Sequence, residues 1–300
     1  MKQDYVIGVF TRGRVNKQFF LESLPEVILG VITIFCHPGE RQAHLKRWDG
    51  KVADVVEYGK DCTNLGQARD WLMGWCKERG IRYAIQVDDN VVFAARAVKS
   101  GSVDFKNKLL TIRNNFSDDD QARIYLSMFS WMLESLRSGY GVVGVSHRSG
   151  NNRKSSSHDE NTRLFAVWGI SVGKYYRVGA HFADNPFKED FHMQLAFLIS
   201  GIKTICNNCY TFDKARGAND SGGCSIYRNL TNVNRGSELL KQYYPDFVSL
   251  VEKDSNNWSN LGTDEAVKRL EVIVHWKKAF NSSQSYGKDF KKRGLGAQSK

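Results

Sequence analysis

Between residues 6 and 93 the chain alternates short apolar runs with stretches of helical spacing, and this alternation constrains the fold more than any other feature. Val6–Phe10 ends in the polar turn Thr11-Arg12-Gly13-Arg14. A helical stretch, Leu21–Leu29, leads into β-branched Val31–Cys36, which stops at His37-Pro38-Gly39. Glu40–Trp48 reads as helix and Val52–Glu57 as a third strand. Leu65–Arg79 carries Ala68, Leu72, Trp75 and Cys76 at helical spacing, and Gly80 ends it. Tyr83–Val87 is a fourth strand, with Asp88-Asp89-Asn90 directly after it. Strands that are apolar along their whole length and joined through helices are buried on both faces. That predicts an α/β fold with a mostly parallel sheet flanked by helices.

The second half is less regular. Ser117 and the acids Asp118–Asp120 suit a helix start, and Ile124, Met128, Phe129, Met132 and Leu136 line one side of that helix. Gly141–Val145 and Ala166–Val172 read as strands, and Phe191–Ile199 as a short apolar helix closed by Gly201. Between them, Ser146–Arg163 is polar and charged and reads as a surface loop. Ala215–Ser225, rich in Gly, Asn, Asp and Ser, is a second loop, suited equally to a lid over the donor or to an ordinary surface loop. Thr263-Asp264-Glu265 predicts the start of a helix reaching about Phe280, so residues 236–280 form a helical appendage, and 281–300 a basic tail.

Composition bounds the rest. The chain has 300 residues, 41% hydrophobic, enough for one large domain with a small addition. No apolar run of about 18 residues or more predicts a membrane span, and Met1–Phe10 reads as a first strand with none of the features of a signal peptide, so a soluble cytoplasmic protein is expected. Six cysteines make no disulfide framework; Cys206 and Cys209 are a lone C-x-x-C without the second pair that structural zinc needs. A formal charge of +11 suits a polyanionic partner, and equally a solvated basic surface with no dedicated partner.

In open α/β sheets ligands bind beyond the carboxyl ends of the strands. Thr11–Arg14, His37–Gly39, Gly59–Asn64 and Asp88–Asn90 all lie at such ends and should share one rim. Arginines there suit a diphosphate, and paired carboxylates suit a hard divalent ion. The segment NLGQARDWLMGWCKERGIRYAIQVDDNVVF, residues 64–93, combines a polar turn, a helix carrying Arg69 and a strand ending in two acids. On these residues the chain resembles the GT-A glycosyltransferases, whose D-x-D-like strand end holds the metal on a donor diphosphate. Asn90 stands where that pattern has its last acid. The resemblance implies a domain over 1–235, with a nucleotide-sugar half (1–93) and an acceptor half (94–235). It implies a donor such as a UDP-sugar, an Mn2+ or Mg2+ ion held by Asp89, and donor contacts from Thr11, Arg12, Arg14, His37, Asn64, Arg69 and Asp88. Lys188-Glu189-Asp190, just before the apolar helix, is similar to the family's acidic element facing the acceptor, which makes Asp190 the candidate base with Glu189 beside it. Acids at a helix start also serve as caps.

The IFCHPGE, QVDDN, KED and RGANDSGG segments, in that order over residues 4–230, resemble a narrower group. This is the phage glycosyltransferases encoded beside TET/JBP-type oxygenases, which glycosylate hydroxymethylated pyrimidines in DNA. That resemblance implies a DNA acceptor, and host-cell cytoplasm as the place of action. Arg153, Lys154, Arg216, Lys291, Lys292 and Arg293 are the candidate phosphate contacts. Three competing readings remain: transfer to a surface glycan or protein, a nucleotidyltransferase, and a nucleic-acid-binding module without catalysis. Thr11–Arg14 is too short for the glycine-rich phosphate loop of the second, and paired acids would repel the phosphates of the third.

Overall fold

The computed structural model describes residues 3–215, 223, 229–254 and 268–283. Its strands are β1 (Tyr5–Thr11), β2 (Ile32–Cys36), β3 (Asp54–Glu57), β4 (Tyr83–Asp88), β5 (Val91–Arg96), β6 (Leu109–Thr111), β7 (Val142–His147), β8 (His158–Glu160), β9 (Val167–Ser171), β10 (Thr204–Lys214), β11 (Val248–Asp254) and β12 (Lys268–Val274). All but the last two join one sheet in the order β3-β2-β1-β4-β9-β7-β10-β5-β6, with β8 on β10. The four strands read from the amino-terminal alternation are mutually parallel. From β9 onward the sheet is mixed, because β9 runs antiparallel to both β4 and β7 while β10 runs parallel to β7. Acids, loops and helices of both halves therefore hang on one continuous sheet.

The chain leaves β1 towards β2 and β3 on one side and returns to β4 on the other. The order reverses between β1 and β4, so their carboxyl ends border the crevice where such sheets take ligands. Period-2 alternation divides the core between the faces. Ile7, Val9, Ile34, Ile85 and Val87 pack with Phe20, Ile28 and the Asp118–Arg137 helix. Val6, Phe10, Phe35, Ala84 and Trp168 pack with the Leu65–Arg79 helix and with Met193 and Phe197 of the Glu189–Ile199 helix. Gly8 is the close approach on that face, since a Cβ there would sit 2.6 Å from the Phe35 ring.

Two expectations are corrected. Ser146–Arg163 is not a free surface loop: it contains β8, paired with β10, and buried Asn151, whose amide donates to Ser146 Oγ (2.8 Å) and Asn208 O (2.9 Å). Asn151 and Asn161 are buried and tie backbone together, while Arg148, Asn152, Arg153 and Arg163 remain exposed. The carboxyl-terminal appendage is not helical throughout. It comprises the Leu230–Tyr243 helix, an antiparallel β11–β12 hairpin and the short Trp276–Asn281 helix, while the proposed start at Thr263 lies outside the described residues. Leu270, Val272 and Val274 alternate with period 2, which suits a strand and not a helix. This unit covers the outer side of the Glu189–Ile199 helix through Leu240, Tyr244, Phe247 and Ala279. That helix is consequently apolar nearly all round, buried from Phe191 to Ile199 between sheet and appendage.

Cys36, Cys62, Cys76, Cys206 and Cys209 are free thiols, and burial pushes Cys206 up to about 12. Among the described residues no helix is long and apolar enough to cross a membrane.

Candidate active site

The site starts where β1 ends. Gly13, at φ +67, turns the chain, and its N–H donates to Glu40 Oε1 at 2.8 Å. Arg14 then folds back against the sheet, 8% exposed, with Nη1 2.9 Å from Asp89 Oδ1. Gln18 Nε2 donates to Thr11 Oγ1 and Arg14 O, both at 2.7 Å, and Phe20 N donates to Asp89 O at 3.1 Å. Residues 11–20 thus wrap the Asp89 side of the β4 end. Burial raises the Asp89 carboxyl above the ordinary range; Arg14 opposes the shift and Asp88 adds to it, while the Thr11 hydroxyl donates to the carboxylate.

Asp88 goes the other way. It continues the Ala84–Gln86 face of β4, and its N–H donates to Ala166 O at 2.9 Å. Ala166 holds a positive φ of +59, rare for a residue with a Cβ, so the β4 end leans on a constrained turn. Asp88 Oδ2 lies 2.6 Å from Lys214 Nζ, and Oδ1 lies 3.5 Å from Arg69 Nη2. Burial pushes Asp88 up, but Lys214, Arg69 and Arg14 outweigh it and hold the carboxyl below its usual range. Lys214 Nζ also donates to Asn90 Oδ1 at 2.8 Å.

Arg69 ties this end to the second half of the chain. Its side chain is 3% exposed, lies over the Trp168 ring at 4.9 Å, and donates from Nη1 to Glu189 Oε1 at 3.0 Å. Next to it, Asp70 accepts from Tyr175 OH (2.7 Å), Phe182 N (2.8 Å) and Ala183 N (2.9 Å). Asp70 therefore fastens the Leu65–Arg79 helix to the turn that leads into Lys188-Glu189-Asp190. Asp190 keeps 15% side-chain exposure, and Arg163 Nη2 stands 3.8 Å from its Oδ2. The Arg163 guanidinium lies over Phe165 (4.5 Å) and Phe191 (4.3 Å), so the acid faces an aromatic and cationic rim.

Thr11, Arg14, Arg69, Asp88, Asp89 and Glu189 come together as one charged cluster. Asn64 instead caps its helix, accepting from Gln67 N at 3.0 Å. His37 sits against Pro38 O (3.0 Å) and edge-on to Tyr58. Arg12 reaches Thr63 O at 3.0 Å and accepts at its own carbonyl from Gly223 N at 2.8 Å. Gly223 also lies on the Arg14 guanidinium, where a Cβ would be 3.1 Å from Cζ, so the glycine-rich loop meets the rim at this residue. Arg153 is exposed on a short turn, and Lys154 pairs with Asp159 at 2.6 Å. Arg216, Lys291, Lys292 and Arg293 lie outside the described residues.

Lys214 and Asp70 are the site residues that sequence reasoning missed. The signal for Lys214 was a lone cation ending the strand TFDK, directly before the glycine-rich segment.

The expected divalent ion can be tested against these residues. A hard cation takes oxygen ligands, commonly one or two carboxylates besides substrate phosphates. Here Asp89 is turned onto Arg14, and the oxygens of Asp88 and Asn90 converge on an ammonium. Among the described residues no group of three His, Cys, Asp or Glu side chains is placed to hold a metal. The donor set does not fit the ion while Lys214 stands there.

No protein-family model matches the chain, and no curated protein sequence matches it. Among solved structures, one similar chain is GalNAc-T7, crystallised with UDP, GalNAc and Mn2+: 13% identical, covering 81% of this chain and 49% of that one, with a TM-score of 0.42. This chain therefore spans about half its length. Another is mannose-1-phosphate geranyltransferase from Thermus thermophilus, 11% identical, covering 70% of this chain and 76% of that one, with a TM-score of 0.39.

Proposed function

We propose that this chain is a glycosyltransferase that moves a sugar from a nucleotide-sugar donor, such as a UDP-sugar, to an acceptor hydroxyl at the carboxyl ends of β1 and β4. The observation that carries this reading is the double engagement of Arg69. One buried guanidinium spans an acid of the nucleotide half, Asp88, and an acid of the acceptor half, Glu189. A transferase needs its two ligands at one point in fixed orientation, because positioning supplies much of the rate. Arg12, Arg14 and Lys214 form the cationic side suited to a diphosphate. Asp190 is the base: it takes the acceptor hydroxyl proton as that oxygen bonds to the anomeric carbon. The anomeric carbon–oxygen bond breaks, and its electron pair leaves on the diphosphate.

For the acceptor we favour a hydroxymethylated pyrimidine in DNA. Beyond the resemblance, this rests on the charge of +11 and on a group of lysines around Trp276. Phe191 stacks on Trp276 with ring centres 5.7 Å apart. Trp276 borders an open cavity of about 460 Å³ lined by Lys154, Lys277 and Lys278 together with the acids Asp159 and Glu160, and Lys154 is paired with Asp159. Exposed cations such as Lys277 can follow a phosphate backbone.

The test is to incubate the protein with a panel of nucleotide sugars and duplex DNA containing 5-hydroxymethylpyrimidines. Nucleosides from digested DNA should gain the mass of one sugar. Release of nucleoside diphosphate without a DNA product would redirect the acceptor to a glycan or protein. No turnover of any donor would remove the transferase reading.

A further inference from the structure

We propose that the Lys214 ammonium stands in for a divalent ion at the β4 end, so that this chain grips the donor diphosphate without metal. The proposal rests on the nucleotide-donor reading above and departs from the metal dependence that the family resemblance implies.

Three observations lead there. First, Lys214 Nζ lies 2.6 Å from Asp88 Oδ2 and 2.8 Å from Asn90 Oδ1, between the two oxygen donors that a hard cation at this strand end would take. An ammonium has three N–H donors. Two serve Asp88 and Asn90, and the third is left for a phosphate oxygen; the side chain is 34% exposed, so it is within reach of one. Second, the lysine is built in. Lys214 pairs with Val91 at the last register position of β10 on β5, and Ala215 N donates to Asn90 O at 2.8 Å. The sheet and the Asp88–Asn90 turn therefore set its position together. Third, the acids are already paired. Among the described residues, Asp89 is met by Arg14, Glu189 by Arg69, and Asp88 by Lys214 with Arg69. Among the described residues these carboxylates are each met by a cation, and a divalent ion would first have to break the Lys214–Asp88 pair.

The same geometry serves the reaction. As the bond from the anomeric carbon to the diphosphate oxygen breaks, negative charge grows on that oxygen. A fixed ammonium stabilises it by a charge-assisted hydrogen bond, without giving up its proton. The acceptor proton goes to Asp190, so nothing further is required.

The experiment uses the full chain and three probes, UDP, GDP and inorganic pyrophosphate, titrated calorimetrically in EDTA and in MnCl2. Mn2+ binding without nucleotide is followed in parallel by electron paramagnetic resonance. We expect at least one probe to bind in EDTA about as well as in Mn2+. Lys214→Met and Lys214→Gln should weaken that binding by about tenfold or more, the worth of one hydrogen bond to a charged group. Lys214→Arg should retain most of it. The wild type should leave Mn2+ free, whereas Lys214→Met, with the Asp88 and Asn90 oxygens released from the ammonium, should bind it. Binding of a probe by the wild type only when Mn2+ is present overturns the proposal and leaves the nucleotide-donor reading intact. Unchanged binding by both charge-removing variants in EDTA also overturns it. No binding of any probe under any condition removes both.

Discussion

Two adjacent acids, Glu189 and Asp190, begin the helix proposed to face the acceptor, and their surroundings differ. Glu189 gives its carboxylate to Arg69 at 3.0 Å, inside a cluster where the guanidinium is 3% exposed. In the proposed reaction a carboxylate held this way orients its neighbour. Among the described residues, Asp190 meets Arg163 at the longer distance of 3.8 Å, and in the proposed reaction it is the acid that serves the acceptor hydroxyl. Asp190→Asn should therefore lower kcat by about two to four orders of magnitude, the usual contribution of a general base. Donor affinity, measured by titration, should stay unchanged. A variant that keeps near-normal turnover would move the base elsewhere, and one that fails to fold would assign Asp190 to capping. The sequence names Asp88, Asp89, Arg69, Glu189 and Asp190 from type and place alone. It does not reveal how they pair. The family resemblance puts Asp89 on a metal, whereas in the structure it turns onto Arg14, and Asp88 holds the rim. Lys214 stands 126 residues from Asp88, and no local pattern reports a contact over that separation.

Among the elements, the Leu65–Arg79 helix carries most of the link between the halves. Its ends are legible: Asn64 caps the start, and Gly80, at φ +69, lets Ile81 N close back on Cys76 O at 2.9 Å. Its approach to the Phe182–Asp184 turn is not legible, because it depends on a glycine against distant backbone. A Cβ on Gly66 would sit 2.8 Å from Phe182 O and 3.2 Å from Ala183 Cα. Two effects compete in Gly66→Ala. Better helix propensity stabilises by up to about 1 kcal/mol. Overpacking against backbone that Asp70 holds in place costs about 1–3 kcal/mol. The clash should win, so thermal melting should show a lower Tm and turnover should fall as the Glu189 end shifts. A raised Tm would show that the turn gives way freely. The β11–β12 hairpin illustrates the converse error: acids at Thr263-Asp264-Glu265 resemble a helix start, while the strand pattern begins only at Lys268.

Across the molecule, charge and shape have to agree before a polyanion can be the acceptor. The formal charge of +11 is spread over a chain whose Lys154 and Lys277 border one cavity, with Asp159 and Glu160 also in its lining. Each phosphate contact to duplex DNA contributes about 0.9 to the slope of log affinity against log salt. The double variant Lys154→Gln, Lys277→Gln should therefore flatten that slope by about one to two, with nucleotide binding unchanged, as read by fluorescence anisotropy at several salt concentrations. Identical slopes would take these residues out of the contact. Failure to bind DNA at low salt would count against a DNA acceptor altogether.

The apolar runs, their polar ends and the helix punctuation determined the α/β class, the four parallel strands and the rim on which ligands should meet, because each of those signals is local and repeats with a fixed period. Tertiary structure decided everything that depends on which distant segments touch. It inserted β9 antiparallel between β4 and β7, folded the appendage over the Glu189–Ile199 helix, and drew Lys214 onto Asp88. Those choices come from burying two sheet faces at once and from neutralising carboxylates at their common edge, energies that arise only when the pieces are assembled.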